Sequence, residues 1–310
     1  MPTVRVDEHE LADWCQRHLG SRVAEVLFAV QHLSAVRGVR LEDGRSVVVK
    51  VRADSARLTA CAAVQRHLFR AGFACPEPLA GPLPLGGFAA SAEVLVPDGE
   101  IATLENDTVS RHARLLADLV RLAPPAAGVG NLSPAPPWVA WDHGELGLWP
   151  AADDRDEDLN AVQTAPWLDE VALAVRRRLE MFDGGEKIVG HGDFEAQNIR
   201  WHGPAGGGEP LAVHDWDSVI ATSEPLLAGF AAAVWPAGMK GFAQATVPQT
   251  EAFLGAYQRA RGISWSDDAL GAAWAAGLWV LAFNAKKASI DGVESLSQSE
   301  AAERLTRGGS

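Results

Sequence analysis

Two short stretches near the middle of the chain decide its fold. Residues 189–201 read VGHGDFEAQNIRW, and residues 211–217 read LAVHDWD after a glycine-rich turn. Short apolar runs that flank a glycine turn predict the two strands of a hairpin. In that arrangement Asp193 and Asn198 share one loop and Asp215 ends the second strand. The pattern therefore predicts that the three side chains meet at one end of a two-stranded ribbon.

This trio has the donor chemistry of a magnesium site used for phosphoryl transfer. Carboxylate and amide oxygens are hard ligands, which suit Mg²⁺ better than zinc. Phosphoryl transfer needs a carboxylate that orients the attacking hydroxyl and accepts its proton. It also needs oxygen ligands for the metal that bridges the phosphates. Two carboxylates and one amide supply this set.

The two stretches resemble the signature of the aminoglycoside phosphotransferase family. This family belongs to the protein-kinase-like superfamily, which also contains choline, homoserine and fructosamine kinases. The likeness lies in His191-Gly-Asp193, four further residues, then Asn198, followed by an apolar-His-Asp-Trp-Asp stretch. It implies that Asp193 is the catalytic-loop aspartate and that His191 is a structural loop residue. Asn198 and Asp215 are the implied Mg²⁺ ligands.

The resemblance extends upstream to a nucleotide site for ATP or GTP. Lys50 ends a Val-Val-Val run, where a structural strand would normally avoid a cation. In a kinase-like fold it is the third-strand lysine that contacts the α and β phosphates; an edge-strand lysine that limits aggregation is the alternative. Segment 93–97 is the expected interlobe hinge, with backbone groups of Val94 and Val96 against the adenine. Ser34, between the first two strands, is a further candidate nucleotide contact.

The order of elements fits an α+β class with a two-lobed, protein-kinase-like fold. Residues 1–96 are expected to form an N-lobe, a small antiparallel sheet with one packed helix at 56–71. Residues 97–310 are expected to form a mainly helical C-lobe with the catalytic loop and the acceptor site. Pro76 and Pro78 predict an extended connector within the N-lobe.

Two departures from the family pattern favour a competing interpretation. Kinases of this kind pair the strand lysine with a glutamate on the N-lobe helix, but helix 56–71 contains no acidic residue. The corresponding place falls near Cys61, with Gln65 one turn away. The loop 31–36 also lacks the glycines that let a backbone approach phosphates. Both features suit a pseudokinase that binds a ligand or partner without transfer, whereas the complete trio favours an enzyme. A structural scaffold without a nucleotide site would require the whole motif to be accidental.

The acidic residues suggest which acceptor the site would take. The chain has 27 Lys and Arg against 40 Asp and Glu, a net charge of −13. This balance suits a cationic small molecule, or only solubility. An acidic run at 153–158, together with Asp217 and Glu224, offers contacts for an aminoglycoside-like antibiotic, an amino sugar or another small metabolite; the run also suits a solvated loop. The tryptophans within 138–149 are candidates for an aromatic wall, whereas those in 269–283 are expected in the core.

Composition also restricts the partners and the compartment. A negative net charge disfavours nucleic acid, because phosphate backbones need a basic surface. The longest apolar stretch, 269–283, is shorter than a membrane span, and the first residues lack a signal-peptide pattern. Three cysteines without a C-x-x-C pair suit a reducing environment. We therefore expect a cytoplasmic protein with a nucleotide and a small acceptor as its partners, and no membrane.

Overall fold

A five-stranded antiparallel sheet with two helices precedes a mainly helical second half. The computed structural model describes residues 4, 6–31, 33–105 and 107–309. The strand order in the sheet is β1-β2-β3-β5-β4. The elements of this first part are α1 (Glu8–Leu19), β1 (Val23–Gln31), β2 (Ala35–Leu41), β3 (Ser46–Arg52), α2 (Arg57–Arg70), β4 (Pro78–Leu85) and β5 (Phe88–Val94).

Alternation along β3 distributes its side chains between the two faces of the sheet. Val47, Val49 and Val51 are buried in a small core that also contains residues of α1. The intervening side chains therefore face the other side, toward α2. Among them are two cations, Lys50 and Arg52, and both are only partly buried. The strand thus separates a structural face from a face that carries charge.

The register of β3 with β5 places a carboxylate beside these cations. Lys50 lies opposite Ser91, and Val48 lies opposite Glu93. Since alternate residues share a face, Glu93 is a diagonal neighbour of Lys50 on the side toward α2. Glu93 is 6% exposed. A buried acid at this place needs a partner, because burying an unpaired charge is costly.

The second half consists of helices arranged around two small ribbons. Strand β6 pairs with β9, and β7 pairs with β8. No helix in the described part of the chain is long and apolar enough to cross a membrane. The elements are α3 (Thr108–Leu122), α4 (Trp167–Glu180), β6 (Lys187–His191), β7 (Ile199–Trp201), β8 (Pro210–Val213), β9 (Val219–Ser223), α5 (Glu224–Val234), α6 (Val247–Arg261), α7 (Asp267–Ile290) and α8 (Gln298–Gly308).

The strands differ from the sequence-based expectation at two places. The connector predicted at Pro78 is strand β4, which lies at the sheet edge and pairs irregularly with β5. An edge strand tolerates proline, because one row of its backbone groups needs no partner in the sheet. The predicted hairpin is the ribbon β7–β8. Along the chain it lies between β6 and β9, which pair with each other as a second ribbon. Strand β9 begins at Val219, just beyond the segment interpreted as strands.

The hydrophobic core does not divide at residue 96. Apolar residues of α2, including Val64 and Leu68, belong to the large cluster formed with α3 and the helices that follow. The small cluster contains only the α1 face of the sheet and the residues around it. Helix α2 is therefore packed with the second half of the chain. The division into lobes of 1–96 and 97–310 stays a prediction.

A buried lysine attaches the irregular segment before α4 to helix α7. The Lys286 side chain is 0% exposed, and its Nζ lies 2.9 Å from Asp169 Oδ1. It also donates to the backbone oxygens of Val162 at 3.0 Å and Thr164 at 3.2 Å. Trp149 Nε1 donates to the same Asp169 oxygen at 2.7 Å. Trp149 is itself buried against Trp279, so it is a core residue and does not form an aromatic wall.

We predict that Lys286→Met lowers the free energy of unfolding by about 3 kcal/mol, because Asp169 and two carbonyls lose a shared buried cation. Chemical denaturation measures the change. The neighbouring Lys287→Met is the matched control: Lys287 pairs with Asp154 near the surface at 2.8 Å. Its removal is expected to cost about 1 kcal/mol or less. Equal losses in the two variants would contradict the anchoring role of Lys286.

Histidine 112 gives the fold an acid-sensitive position. Its ring lies 5.0 Å from Trp201 and 5.2 Å from Trp235 between ring centroids. Its Nδ1 lies 2.9 Å from the Thr108 carbonyl oxygen, which can accept a hydrogen bond from an Nδ1–H. Burial lowers the pKa of His112 to about 4. The folded protein therefore keeps this ring neutral under conditions where the unfolded chain already takes up a proton.

Stability should fall as the pH decreases from about 6.5 toward 4, since the unfolded state binds more protons in that window. For His112 alone the loss between pH 7 and pH 5 is about 2 kcal/mol. We expect His112→Phe to flatten the pH dependence of the unfolding free energy by about this amount. Urea denaturation at both pH values tests the expectation. An unchanged slope in the variant would show that other groups cause the acid sensitivity.

Candidate active site

Asp193 and Asn198 lie on the loop between β6 and β7, and hydrogen bonds fix their relative position. Asn198 Nδ2 donates to Asp193 Oδ2 at 2.8 Å and to the Asp193 backbone oxygen at 3.0 Å. Because both partners are acceptors, the amide nitrogen must face Asp193. The Asn198 Oδ1 oxygen is then left for another ligand. One oxygen of the carboxylate is thereby held in place by Asn198, which lies five positions further along the chain.

His191 holds this loop through both of its ring nitrogens. The backbone N–H of Asp193 lies 3.2 Å from His191 Nδ1, which must therefore accept. The proton is then on Nε2, which donates to the His214 carbonyl at 2.9 Å. Burial lowers the pKa of His191, so the ring is neutral. With both nitrogens bonded to backbone groups, His191 connects the two halves of the motif and is not placed to move a substrate proton.

Asp215 adopts a backbone conformation that is rare for any residue except glycine. Its φ is 66° and its ψ is 48°, in the left-handed region, just before a 3₁₀ turn at Trp216–Ser218. Such a conformation costs of order 1–3 kcal/mol and persists only where the surroundings stabilise it. Burial alone would raise the pKa of Asp215, but Lys50 and then Arg52 outweigh burial and hold the pKa below its usual value. Asp215 is therefore an ionised carboxylate.

Lys50 lies between two carboxylates from different parts of the fold. Its Nζ is 3.6 Å from Glu93 Oε1 and 3.7 Å from Asp215 Oδ1. Gln65 on α2 donates from Nε2 to Glu93 Oε2 at 2.9 Å. The glutamate that the family pattern places on the helix is thus supplied by strand β5. Sequence analysis assigned residue 93 to the hinge; the residue is instead the partner of Lys50, and its place on the face of Lys50 follows from strand alternation.

A second ion pair, between Arg52 and Asp217, lies two residues further along both segments. The side chains are 20% and 22% exposed. Helix α2 contributes Arg57, which donates to the backbone oxygens of Asp217 and Val219, each at 2.6 Å. Cys61 faces the same Asp217 carbonyl at 3.6 Å. The turn after Asp215 is therefore held by the sheet and by α2.

These contacts differ from the acceptor role expected for Asp217 and Glu224. Asp217 is paired with Arg52 of the sheet, on the same face as Lys50. Glu224 accepts from the Tyr257 hydroxyl at 2.8 Å and from Arg261 Nε at 2.6 Å. Neighbouring side chains thus already bind both carboxylates. An acidic residue in a sequence does not indicate whether it has such a partner.

The candidate nucleotide contacts lie at the edges of the sheet. Ser34 is in the turn between β1 and β2, where His32 lies outside the described residues. Val94 donates its backbone N–H to the Glu77 carbonyl at 2.9 Å, and a contact of its backbone with adenine stays a prediction. Val96 follows two residues after the end of β5. A hinge contact through the Val96 backbone stays a prediction.

The donor set around Asp193 fits a divalent cation. Burial, and then the nearby Asp215 carboxylate, raise the pKa of Asp193 to about 6. The loop is joined to the segment of Asp215 at Asn198, whose backbone oxygen accepts from the His214 N–H at 2.8 Å. The Asn198 amide oxygen adds a third hard donor on the same loop. Two carboxylates and an amide oxygen match the preference of Mg²⁺ for oxygen ligands.

Two further acidic residues, Asp153 and Glu195, interact electrostatically with Asp193. The charge of Asp153 contributes to the raised pKa of Asp193. Burial, and then Asp193, raise the pKa of Glu195 to about 8. The acidic run at 153–158 is held against the end of α7, where Asp154 pairs with Lys287 at 2.8 Å. Sequence analysis missed Glu195, although it lies within the motif, two residues after Asp193.

Comparison with known families agrees with this geometry. The chain matches the model of the phosphotransferase enzyme family over residues 8–274. It belongs to this family. The expected family, the kinase-like fold and the class of phosphotransferases with an alcohol acceptor are thereby confirmed. No curated protein matches the chain.

Solved structures with the same fold include three phosphotransferases of low sequence identity. Spectinomycin phosphotransferase APH(9)-Ia, in complex with ADP and spectinomycin, is 12% identical with a TM-score of 0.57, over 98% of this chain and 94% of that one. Amicoumacin kinase hAmiN, with AMP-PNP, Ca²⁺ and Ami, is 13% identical with a TM-score of 0.58, over 92% and 86%. Macrolide 2′-phosphotransferase MphH from Brachybacterium faecium is 18% identical with a TM-score of 0.53, over 95% and 97%.

We predict that Asp217→Asn lowers the free energy of unfolding by about 2–4 kcal/mol, because Arg52 is left buried opposite an amide. Thermal and urea unfolding measure the loss. Asp13→Asn is the matched control, since Asp13 pairs with Arg22 at 2.8 Å with both side chains more than a third exposed. That change should cost less than about 1 kcal/mol. A similar effect in both variants would mean that the Arg52 pair does not stabilise the turn.

Proposed function

We propose that the chain is a small-molecule kinase that transfers the γ-phosphoryl group of ATP or GTP to a hydroxyl of a small cationic acceptor. One observation carries this proposal: Asp193, Asn198 and Asp215 meet at one end of the ribbon, with Lys50 beside Asp215. The trio supplies a base and oxygen ligands, and Lys50 supplies the cation for the phosphates. Family membership supports the reaction class.

Asp193 would accept the proton of the attacking hydroxyl. Asn198 holds one carboxylate oxygen at 2.8 Å and the other remains for the acceptor. A carboxylate whose pKa is raised to about 6 is a better base than an ordinary aspartate, yet is still mostly ionised at neutral pH. As the hydroxyl oxygen bonds to the γ-phosphorus, the bond to the β–γ bridging oxygen breaks. The proton stays on Asp193 and the nucleoside diphosphate leaves.

Lys50 and the two metal ligands would hold the phosphates. Asn198 Oδ1 and the Asp215 carboxylate would bind Mg²⁺, which when bound neutralises charge on the phosphate oxygens. Lys50 adds a positive charge on the sheet side. Its location between Glu93 and Asp215 keeps the ammonium at the entrance of this site. The lack of an acid on α2 no longer favours a pseudokinase, because Glu93 supplies the carboxylate from β5.

The charges beside Asp193 support a cationic acceptor. The charge of Asp153 acts on the catalytic carboxylate, and an acceptor with an amine close to its reacting hydroxyl would offset this repulsion. Two of the similar structures hold spectinomycin and Ami, and a third is named for macrolides. An amine-bearing natural product is accordingly the first acceptor class to screen.

The first test combines nucleotide binding with transfer. We expect ATP or GTP at one hundred times its Kd, with Mg²⁺, to add about 2.7 kcal/mol of stability. This gain corresponds to a melting-temperature rise of several degrees. Without Mg²⁺ the shift should shrink. Asp193→Asn should keep the shift but lower the rate of transfer by about 10²–10⁴-fold, since only the base is removed.

Asp118→Asn is the matched control for this substitution. Asp118 lies on the exposed side of α3 beside Arg121, so both binding and transfer should stay at the level of the unaltered protein. Acceptors are compared as pairs with and without an amine. Nucleotide binding without transfer to any hydroxyl compound, or undiminished transfer by Asp193→Asn, would refute the proposed reaction or the proposed base, respectively.

A further inference from the structure

We infer that Glu93 is the positioning residue for Lys50, and that Gln65 fixes the Glu93 carboxylate. The lysine–glutamate pair of the nucleotide site is then contained within the sheet. This inference deepens the proposed function and rests on it. Its evidence is a chain of contacts from Gln65 through Glu93 to Lys50 and on to Asp215.

Both oxygens of the Glu93 carboxylate have a defined partner. Oε1 lies 3.6 Å from Lys50 Nζ, and Oε2 accepts from Gln65 Nε2 at 2.9 Å. Gln65 Nε2 also donates to the Pro76 carbonyl at 3.1 Å, so both of its protons are used. Glu93 and Gln65 are 6% and 7% exposed. A buried carboxylate that is held from two sides has little conformational freedom. Its contact with the Lys50 ammonium therefore limits the positions of the ammonium as well.

The strand pairing sets the separation between the backbones of Lys50 and Glu93. Lys50 and Glu93 lie on adjacent hydrogen-bonded strands, so their separation is set by the sheet register. Helix α2 contributes a neutral side chain, Gln65, to the pair. Its N-terminal end is bound elsewhere, through Arg57 to the backbone around β9. In this arrangement the helix supports the carboxylate but does not carry the charge.

Charge balance explains what Glu93 does for the reaction. Lys50 has a second carboxylate, Asp215, at 3.7 Å. Without Glu93 the ammonium would keep Asp215 as its close anion, and it would compete with Mg²⁺ for that ligand. Glu93 holds the ammonium on the sheet side, which leaves Asp215 for the metal and Lys50 for the phosphates. A positioning error of about 1 Å can cost about 10²-fold in rate.

The test uses Glu93→Gln in the full chain, with Mg·ATP (or Mg·GTP if the chain prefers it) as the probe. Transfer to water, or to an acceptor found in the screen, is measured as kcat and KM, and Mg²⁺ is titrated at fixed nucleotide. We expect kcat to fall by about 10–100-fold. The Mg²⁺ concentration for half-maximal rate should rise, and KM for the acceptor should not change. A purely structural role would not shift the metal dependence.

Two further variants distinguish the loss of the Glu93 charge from a loss of folding. Glu25→Gln removes an acid from the same sheet, where Glu25 pairs with Arg40 on the surface, and should leave rate and metal dependence unchanged. Gln65→Glu combined with Glu93→Gln moves the carboxylate to α2 and keeps a hydrogen bond between the two side chains. This double variant should recover part of the turnover lost in Glu93→Gln, because the charge returns while the Pro76 carbonyl loses its donor. Melting temperatures verify that each variant is folded.

The outcomes are distinguishable. If the unaltered protein transfers no phosphate, the proposed function fails and the positioning role fails with it. If the unaltered protein is active and folded Glu93→Gln keeps the same kcat and the same Mg²⁺ dependence, only the positioning role is overturned. If Glu93→Gln does not fold, Gln65→Ala replaces it: loss of support for Glu93 should then raise the half-maximal Mg²⁺ concentration, and an unchanged value would overturn the inference.

Discussion

The ammonium of Lys50 between two carboxylates is the interaction on which the rest of the site depends. It lies 3.6 Å from Glu93 on the sheet and 3.7 Å from Asp215 on the loop after β8. Glu93 is costly to bury without a cation, whereas the Asp215 side chain is 38% exposed. A single charge thus pairs with both acids, and it joins the sheet to the segment after β8. The pair between Arg52 and Asp217 repeats this connection one step further along the same strand, so that β3 and the turn are joined twice.

The local part of this arrangement could be predicted from the sequence. Asp193 and Asn198 are separated by four residues on one loop, so their spacing alone brings them together, and the fold class followed from the motif and the order of elements. Non-local pairings could not be predicted in the same way. Strand β9 pairs with β6 across the whole ribbon β7–β8, and no turn signal joins the two strands. Strand β4 contains three prolines, which argue against a strand unless its position at the edge is known.

The partners of charged residues are the clearest example of a feature that could not be predicted from the sequence. The sequence predicts that Asp217 and Glu224 are available for an acceptor. In the structure both are held by arginines that are distant in the sequence. The family pattern places the partner of Lys50 on the helix. A signal for Glu93 was present: in β5, Ser91 and Glu93 alternate with buried alanines, which places them on the polar face. Using that signal requires the register between β3 and β5, which depends on packing and not on local composition.

The strained backbone of Asp215 follows from the same set of charges. A left-handed residue costs of order 1–3 kcal/mol, which two ion pairs and the Arg57 hydrogen bonds to the following turn can offset. The conformation directs the carboxylate toward Lys50 while Asp193 remains close enough to be affected by its charge. An extended backbone at this place would continue strand β8 and carry the carboxylate away from the loop. The strain therefore keeps the Asp215 carboxylate near Lys50, and it persists because Lys50 and Arg52 pair with Asp215 and Asp217.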